Sequence, residues 1–440
     1  MRTKDIFLIG FMLFALFFGA GNLIYPPSLG IQAGTSYWLA ISGFIITGVG
    51  LPILGVTAIA LGGTDARGFA SRVSPLFGTV FASVIYLAIA PFFGIPRAAN
   101  VAYEMGVEPL FGSVTSGWVL PVFSVLFFAL VYWVSLNPSK IVDRIGQWLT
   151  PILLIAIVGL CMASFLGFEA PAQSPSGDYT EGPFFSGFIN GYLTMDAIAG
   201  LAFGIIVVKA LKDRGVAQKR TLIKQTLKAG AVTAAGLIFV YTSIGWIGTK
   251  MASEGTFDNG GDILSNATAM LFGPNGALLL GVIVALACFT TCVGLTVANS
   301  QFFSETFQSI SYQTMVRLTT LVSLLITNLG LSQIIEISVP VLSFVYPLAI
   351  VLMVLSLFDA LFNSSPYVYR GALLLTFIVA LYDGLNALAI NVSFLEQILT
   401  PLPLFQEGLG WITLALIGAF LGWLYSLINP TPQPASKKVS

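Results

Sequence analysis

Apolar stretches of about twenty residues, the length a helix needs to cross bilayer hydrocarbon, follow one another along almost the whole chain. Twelve can be marked out, at 5–31, 36–61, 76–106, 118–137, 146–167, 185–208, 229–249, 276–299, 315–330, 333–357, 367–387 and 409–428. The ninth and tenth are separated only by a short turn near Leu331. A soluble core could not hide so much apolar sequence. Of the 440 residues 56% are hydrophobic and 9% are charged, against about 25% charged in soluble domains. A bilayer as solvent removes the conflict, and the sequence predicts an all-α integral membrane protein. The basic start followed by an apolar run resembles a secretory leader in outline. That run contains Gly-Ala-Gly-Asn, ends at Pro26-Pro27 and lacks a small-residue cleavage pattern, so it reads as the first span.

The same composition excludes several function classes. Net charge is zero, which gives no support to a nucleic-acid partner. There is no histidine, so the commonest metal ligand and the usual general base are missing. Cys161, Cys288 and Cys292 all fall inside apolar runs and imply no disulfide framework. Cys288 and Cys292 share a helix face and read as small packing residues. A membrane enzyme would need a nucleophile–base pair or a metal cluster within the spans, and a channel would need a repeated pore-lining ring. A sensor would carry a soluble output domain. What remains is a carrier of a small solute, with the lipid bilayer as its surroundings and no obligatory protein partner in view.

Orientation follows from the basic residues, which collect on cytoplasmic loops. With the N-terminus inside, all of the 19 Lys and Arg except Arg97 and Lys250 fall on inner segments. Both termini and the run from Lys209 to Lys228 are then cytoplasmic. The Pro-, Ser- and Gly-rich stretch 169–183 and the acidic stretch from Glu254 to Asp262 are external.

Two spans carry helix breakers near their middle. The first holds Phe18-Gly19-Ala20-Gly21-Asn22 and the sixth holds Thr194-Met195-Asp196-Ala197-Ile198-Ala199-Gly200. Glycine costs about 1 kcal/mol inside a helix, and Asn and Asp compete for backbone hydrogen bonds. An unwound segment survives at mid-membrane only where it lines protein or a water-filled cavity. Close packing of small residues is the alternative reading. The two breaks lie roughly 175 residues apart, each in the first helix of a five-helix block, as in inverted-repeat transporters. This predicts a first repeat over 1–170, a second, inverted repeat over 185–357, and two further helices with a tail over 358–440. A helix that stops and restarts turns orphan N–H groups one way and orphan carbonyls the other. The first end suits a carboxylate and the second a cation.

The run Phe14–Gly30, FALFFGAGNLIYPPSLG, closely resembles the opening helix of bacterial branched-chain amino acid:cation symporters, the LIVCS or BrnQ family. Phe93-Gly94-Ile95-Pro96-Arg97 on the third span is also similar to that family. The resemblance covers essentially the whole chain. It implies uptake of leucine, isoleucine and valine across the bacterial cytoplasmic membrane, driven by sodium or by protons. It also implies a LeuT-type five-plus-five inverted repeat with discontinuous helices 1 and 6. A related carrier for another small amino acid or a nucleobase is the other reading.

A more distant resemblance, to sodium:neurotransmitter-type symporters, suggests roles for single residues. Their Gly-x-Gly-Asn break aligns with Gly19 to Asn22, which assigns the carboxylate-binding amides to Ala20 and Gly21. Asn22, Leu193, Asp196 and Arg97 complete the expected substrate set. A sodium ion would meet the carbonyls of Ala15 and Phe18, with Ala287, Thr290 and Thr291 of the eighth span matching an Ala-x-x-Thr-Ser pattern. A second sodium would use Asn22, Thr194 and the Phe17 carbonyl. Unlike those relatives, this chain has no arginine just after Asn22. Arg97, on the outer half of its span, is expected to serve the outer vestibule, pairing with Glu104 or Glu336. Asp196, the one acid near mid-membrane, is expected either to cap the second half of the sixth helix or to carry the coupling charge.

Overall fold

The computed structural model describes residues 3–62, 65–108, 117–137, 141–168 and 170–429, and they form helices joined by turns, with no strand among them. Among the described residues eighteen α-helices follow in chain order. They are α1 (Thr3–Phe17), α2 (Ala20–Ala33), α3 (Tyr37–Ile45), α4 (Leu51–Gly62), α5 (Ala66–Ala70) and α6 (Pro75–Leu87). Then come α7 (Gly94–Gly106), α8 (Val119–Ser135), α9 (Ile141–Gly167), α10 (Pro183–Asn190), α11 (Asp196–Asp213) and α12 (Lys219–Met251). The last are α13 (Gly260–Thr306), α14 (Tyr312–Thr327), α15 (Leu331–Leu357), α16 (Pro366–Ala387), α17 (Ser393–Leu399) and α18 (Gly410–Ile428).

Local chemistry explains many of the ends. The side chain of Asn259 accepts from the N–H of Gly261 (2.8 Å) and of Asp262 (3.1 Å), capping α13. Ser311 caps α14 by accepting from Thr314 N at 3.2 Å. Pro183 and Pro366 open α10 and α16, where a missing N–H costs nothing. Pro91 falls in a π-helical turn, Ala88–Phe92, that joins α6 to α7. Proline cannot donate to the ladder, and the wider turn absorbs the gap.

Among the described residues seven helices are long and apolar enough to cross a membrane, and the bent pair Pro183–Thr194 plus Asp196–Asp213 makes up to eight. This differs from twelve because Ala20–Gly62 counts as one span where the sequence suggests two, and because several helices, among them Val119–Ser135 and Leu154–Gly167, fall short of the length. The first span is divided into α1 and α2, with 15 and 14 residues, and α14 has 16. The stretch read as an acidic outer loop also becomes partly helical. α13 begins at Gly260, and Gly273 at φ 70° interrupts it before the expected eighth span.

The chain divides into two compact units. One comprises Met1–Asp65 and Ala82–Val339. Within it α1 and α2 pack on α12, α4 packs on α11, and α7 packs on α13. Gly30 shows how close these contacts are, since a Cβ there would lie 1.9 Å from the carbonyl oxygen of Gly245 on α12. The other unit comprises Ala66–Phe81 and Pro340–Ser440. In it α16 packs on α18, and Arg72 pairs with Asp359 at 3.4 Å. Every residue of the expected site belongs to the first unit.

Candidate substrate-binding site

The two predicted breaks are where the backbone leaves the helix. Between α1 and α2, Phe18 and Gly19 are non-helical, with Gly19 extended at φ −135° and ψ −158°. In the sixth span α10 runs into a 3-10 turn, Gly191–Thr194, and Met195 then takes a left-handed conformation at φ 67° before α11 begins. The two halves are bent by 45°.

Both breaks line one small cavity of about 30 Å³, bordered by Phe17, Gly19 to Asn22, Thr194 to Asp196, Arg97 and Thr291. That is room for one or two waters, so a larger solute requires its walls to part. Ala20 and Gly21 form the first turn of α2, whose opening N–H groups lack helical acceptors. The Gly19 N–H is already used, donating to Asn22 Oδ1 at 3.0 Å.

A buried polar cluster ties the breaks together. Asn22 Nδ2 donates to Asp196 Oδ2 at 2.6 Å and also to the hydroxyl of Tyr241. Tyr241 in turn donates to Asp196 Oδ2 at 3.0 Å. Asn22 and Asp196 are 1% and 4% exposed. Asp196 is thus not the cap of α11. The cap position is Met195, which makes no side-chain capping bond, and the carboxylate reaches to α2 and α12 instead. Its place in the first turn still suits the positive end of the helix dipole.

Arg97 is also placed differently from the vestibule reading. It is 3% exposed. Nη1 donates to the carbonyl of Leu193 at 2.7 Å and to Tyr25 Oη at 3.2 Å, and Nη2 donates to the carbonyl of Thr194 at 3.1 Å. Glu104, one expected partner, accepts from Asn259 Nδ2 at 3.0 Å. The reason is local. A break ends the 3-10 turn with free carbonyls, and the fork of a guanidinium can serve two of them at once. Gly21 makes room for it, because a Cβ there would lie 2.8 Å from Nη2.

The expected sodium ligands are partly assembled. Thr291 Oγ1 donates to the Phe18 carbonyl at 3.3 Å, joining the first break to the eighth span. Thr290 Oγ1 donates to Ala287 O at 2.8 Å, the back-bond ordinary for threonine in a helix. Ala15 lies within α1, one turn before the break. Of the second set, Phe17, Asn22 and Thr194 all border the cavity, while Thr194 Oγ1 donates to Gly191 O at 2.9 Å. Tyr241 and Tyr25 were not anticipated. Each is one tyrosine in an apolar run, and only the fold brings it to the breaks.

A structure of Mhp1, a nucleobase-cation-symport-1 family transporter in a closed conformation with bromovinylhydantoin bound, superposes with a TM-score of 0.62. It is 16% identical, and the match covers 98% of this chain and 94% of that one. MhsT in complex with L-phenylalanine gives a TM-score of 0.57 at 15% identity, covering 96% and 98%. These likenesses establish the LeuT-type transporter fold. The branched-chain amino acid permease BraB of Bacillus subtilis is 44% identical over 440 residues, 98% of each chain. The branched-chain amino acid permease BrnQ of the same species is 45% identical over 432 residues, again 98% of each. A branched-chain amino acid transport system 2 carrier protein of Pseudomonas aeruginosa is 42% identical over 436 residues, 99% of each. A family profile described as "Branched-chain amino acid transport protein" matches residues 2–428, and the chain belongs to that family of multi-pass membrane transporters.

Proposed function

We propose that this chain imports leucine, isoleucine and valine across the bacterial cytoplasmic membrane, coupled to a sodium gradient. The observation that carries the reading is that both helix breaks line one cavity. The amides of Ala20 and Gly21 are suited to the substrate carboxylate, with the positive end of α2 behind them. Arg97 Nε is buried with no acceptor among the described residues, which leaves one more donor beside the cavity. The names of the relatives supply the substrate class. Competition against labelled leucine uptake tests it. Isoleucine and valine should compete and serine should not; strong competition by serine would favour a carrier of polar amino acids.

Sodium is a co-substrate in this reading, held by neutral oxygens. The approach of Thr291 to the Phe18 carbonyl supports a site there, with Thr290 and the carbonyls of Ala15 and Ala287 nearby in sequence. An ion held between the break and the eighth span would bind some arrangements of the two better than others, which is what coupling requires. Thr291→Val keeps the side-chain volume and deletes one oxygen. It should raise the sodium concentration for half-maximal uptake by about tenfold, the worth of one bond to a charged group, and leave leucine selectivity unchanged. Unaltered sodium dependence in both Thr291→Val and Thr290→Val would remove the site. A proton-coupled mechanism is the second reading. It is favoured by Asp196, a carboxylate buried at the second break. Proteoliposomes with sodium and pH gradients imposed separately distinguish the two.

The full span count is taken as twelve, with repeats over 1–170 and 185–357 and two added helices in 358–440. Thr3–Ala33 and Pro183–Asp213 are broken helices of equal length, each opening its block. Both termini are placed inside. In support, Ser176 N donates to Gln32 O and Thr35 N to Gln173 O, so the stretch around 173–176 lies at the C-terminal end of α2. Lys250 donates to Ala170 O at that same end. Cysteines introduced at the exposed Ser176 and Gln218 should differ toward an impermeant thiol reagent in intact cells. Labelling is expected at 176; labelling at 218 alone would invert the topology.

A further inference from the structure

The first turns of α12 hold a feature that lies outside the site already described. Arg220, Lys224 and Lys228 recur every four residues, and so do Ile223, Leu227 and Ala231 beside them. On a helix such spacing gives two neighbouring rows, one basic and one apolar. Together they line an open groove of about 400 Å³. The three basic side chains are exposed. Among the described residues none of the three has a carboxylate partner. Between residues 197 and 253 the sequence contains a single acid, Asp213.

We infer that this groove binds the headgroup of an anionic glycerophospholipid, with the upper part of one acyl chain along Ile223, Leu227 and Ala231. Depth argues for a lipid. α12 has 33 residues, about 50 Å at 1.5 Å per residue, against about 30 Å of hydrocarbon. Its apolar part begins near residue 229. Lys228 and Lys224 then sit in the headgroup layer, with Arg220 at its outer edge and Ala231 in the hydrocarbon. The phosphate of a lipid lies at the level of the basic row, and its chain lies at the level of the apolar row. A soluble anion would satisfy only the first, and a zwitterionic lipid would leave the net positive charge unanswered. Juxtamembrane basic residues attract anionic lipid by a factor of about five each.

The test is native mass spectrometry of the full chain in detergent, titrated with phosphatidylglycerol or phosphatidylcholine. Wild type should retain one phosphatidylglycerol under conditions that strip phosphatidylcholine. The R220Q/K224Q/K228Q variant should bind it about a hundredfold more weakly, and K224Q alone about fivefold. A K209Q/K212Q/R214Q control removes equal charge nearby and should bind as wild type does. Equal weakening in the control would mean diffuse electrostatics and would overturn the site. So would equal retention of phosphatidylcholine, or displacement of the lipid by glycerophosphate without chains. An unchanged melting temperature of each variant shows that the readout reports binding.

Discussion

Asp196→Asn is expected to reduce leucine uptake by between about tenfold and a hundredfold, with the protein still folded and inserted. In the structure Asp196 Oδ2 accepts from both Asn22 and Tyr241. An amide oxygen can keep those positions but not the charge, and a hydrogen bond to a charged partner is worth about 1.5–3 kcal/mol. The loss falls on the contact that holds α2, α11 and α12 together at the breaks. Melting temperature and surface expression separate damage to the site from damage to the fold. Sodium and pH dependence of the residual uptake then assign the role. If the charge carries a coupling proton, the variant loses its response to a pH gradient; if it serves to hold the breaks, the response stays while the maximum rate falls. Uptake equal to wild type with unchanged ion dependence would show that the carboxylate serves neither purpose.

The larger effect is expected at Arg97. Arg97→Ala would leave the carbonyls of Leu193 and Thr194 without their donors. Each orphaned buried polar group costs about 1–3 kcal/mol, so a loss of more than a hundredfold in uptake is expected, with a fall in melting temperature. Arg97→Lys keeps the charge but offers one point in place of a fork. It can serve one carbonyl, and partial rescue is expected, seen as a higher KM with a smaller change in maximum rate. Arg97→Gln with wild-type kinetics would refute any role for this side chain at the site.

Much of this site is legible in the sequence. Gly19, Gly21 and Asn22 together, and Met195-Asp196 followed by Gly200, mark breaks because those residues weaken a helix wherever they stand. The resemblance places Thr291 beside the first break, and its hydroxyl donates to the Phe18 carbonyl there. What escaped depends on tertiary direction. The hydropathy of an apolar run is nearly the same whether Tyr241 faces lipid or Asp196. Arg97 reads as an outer gate because a basic residue on the outer half of a span is costly and usually functional, the other reading being that it reaches for headgroups. Its true partners, two backbone carbonyls, are freed only by the distortion of another helix. The helix at the start of α13 was hidden in a similar way. Gly260, Gly261 and Asp262 read as loop, whereas Asn259 supplies the cap that lets a helix begin there.

Met195 combines a left-handed backbone with a place at the cavity. Its backbone sits at φ 67°, a conformation that costs a residue with a Cβ about 1–2 kcal/mol, and the residue borders the cavity. A glycine would bend there freely and feel nothing of what lies in front of it. A methionine makes the bend a strained one, at the edge of the cavity. A cargo that touched this residue would therefore bear on the joint between the two half-helices, which are bent by 45°.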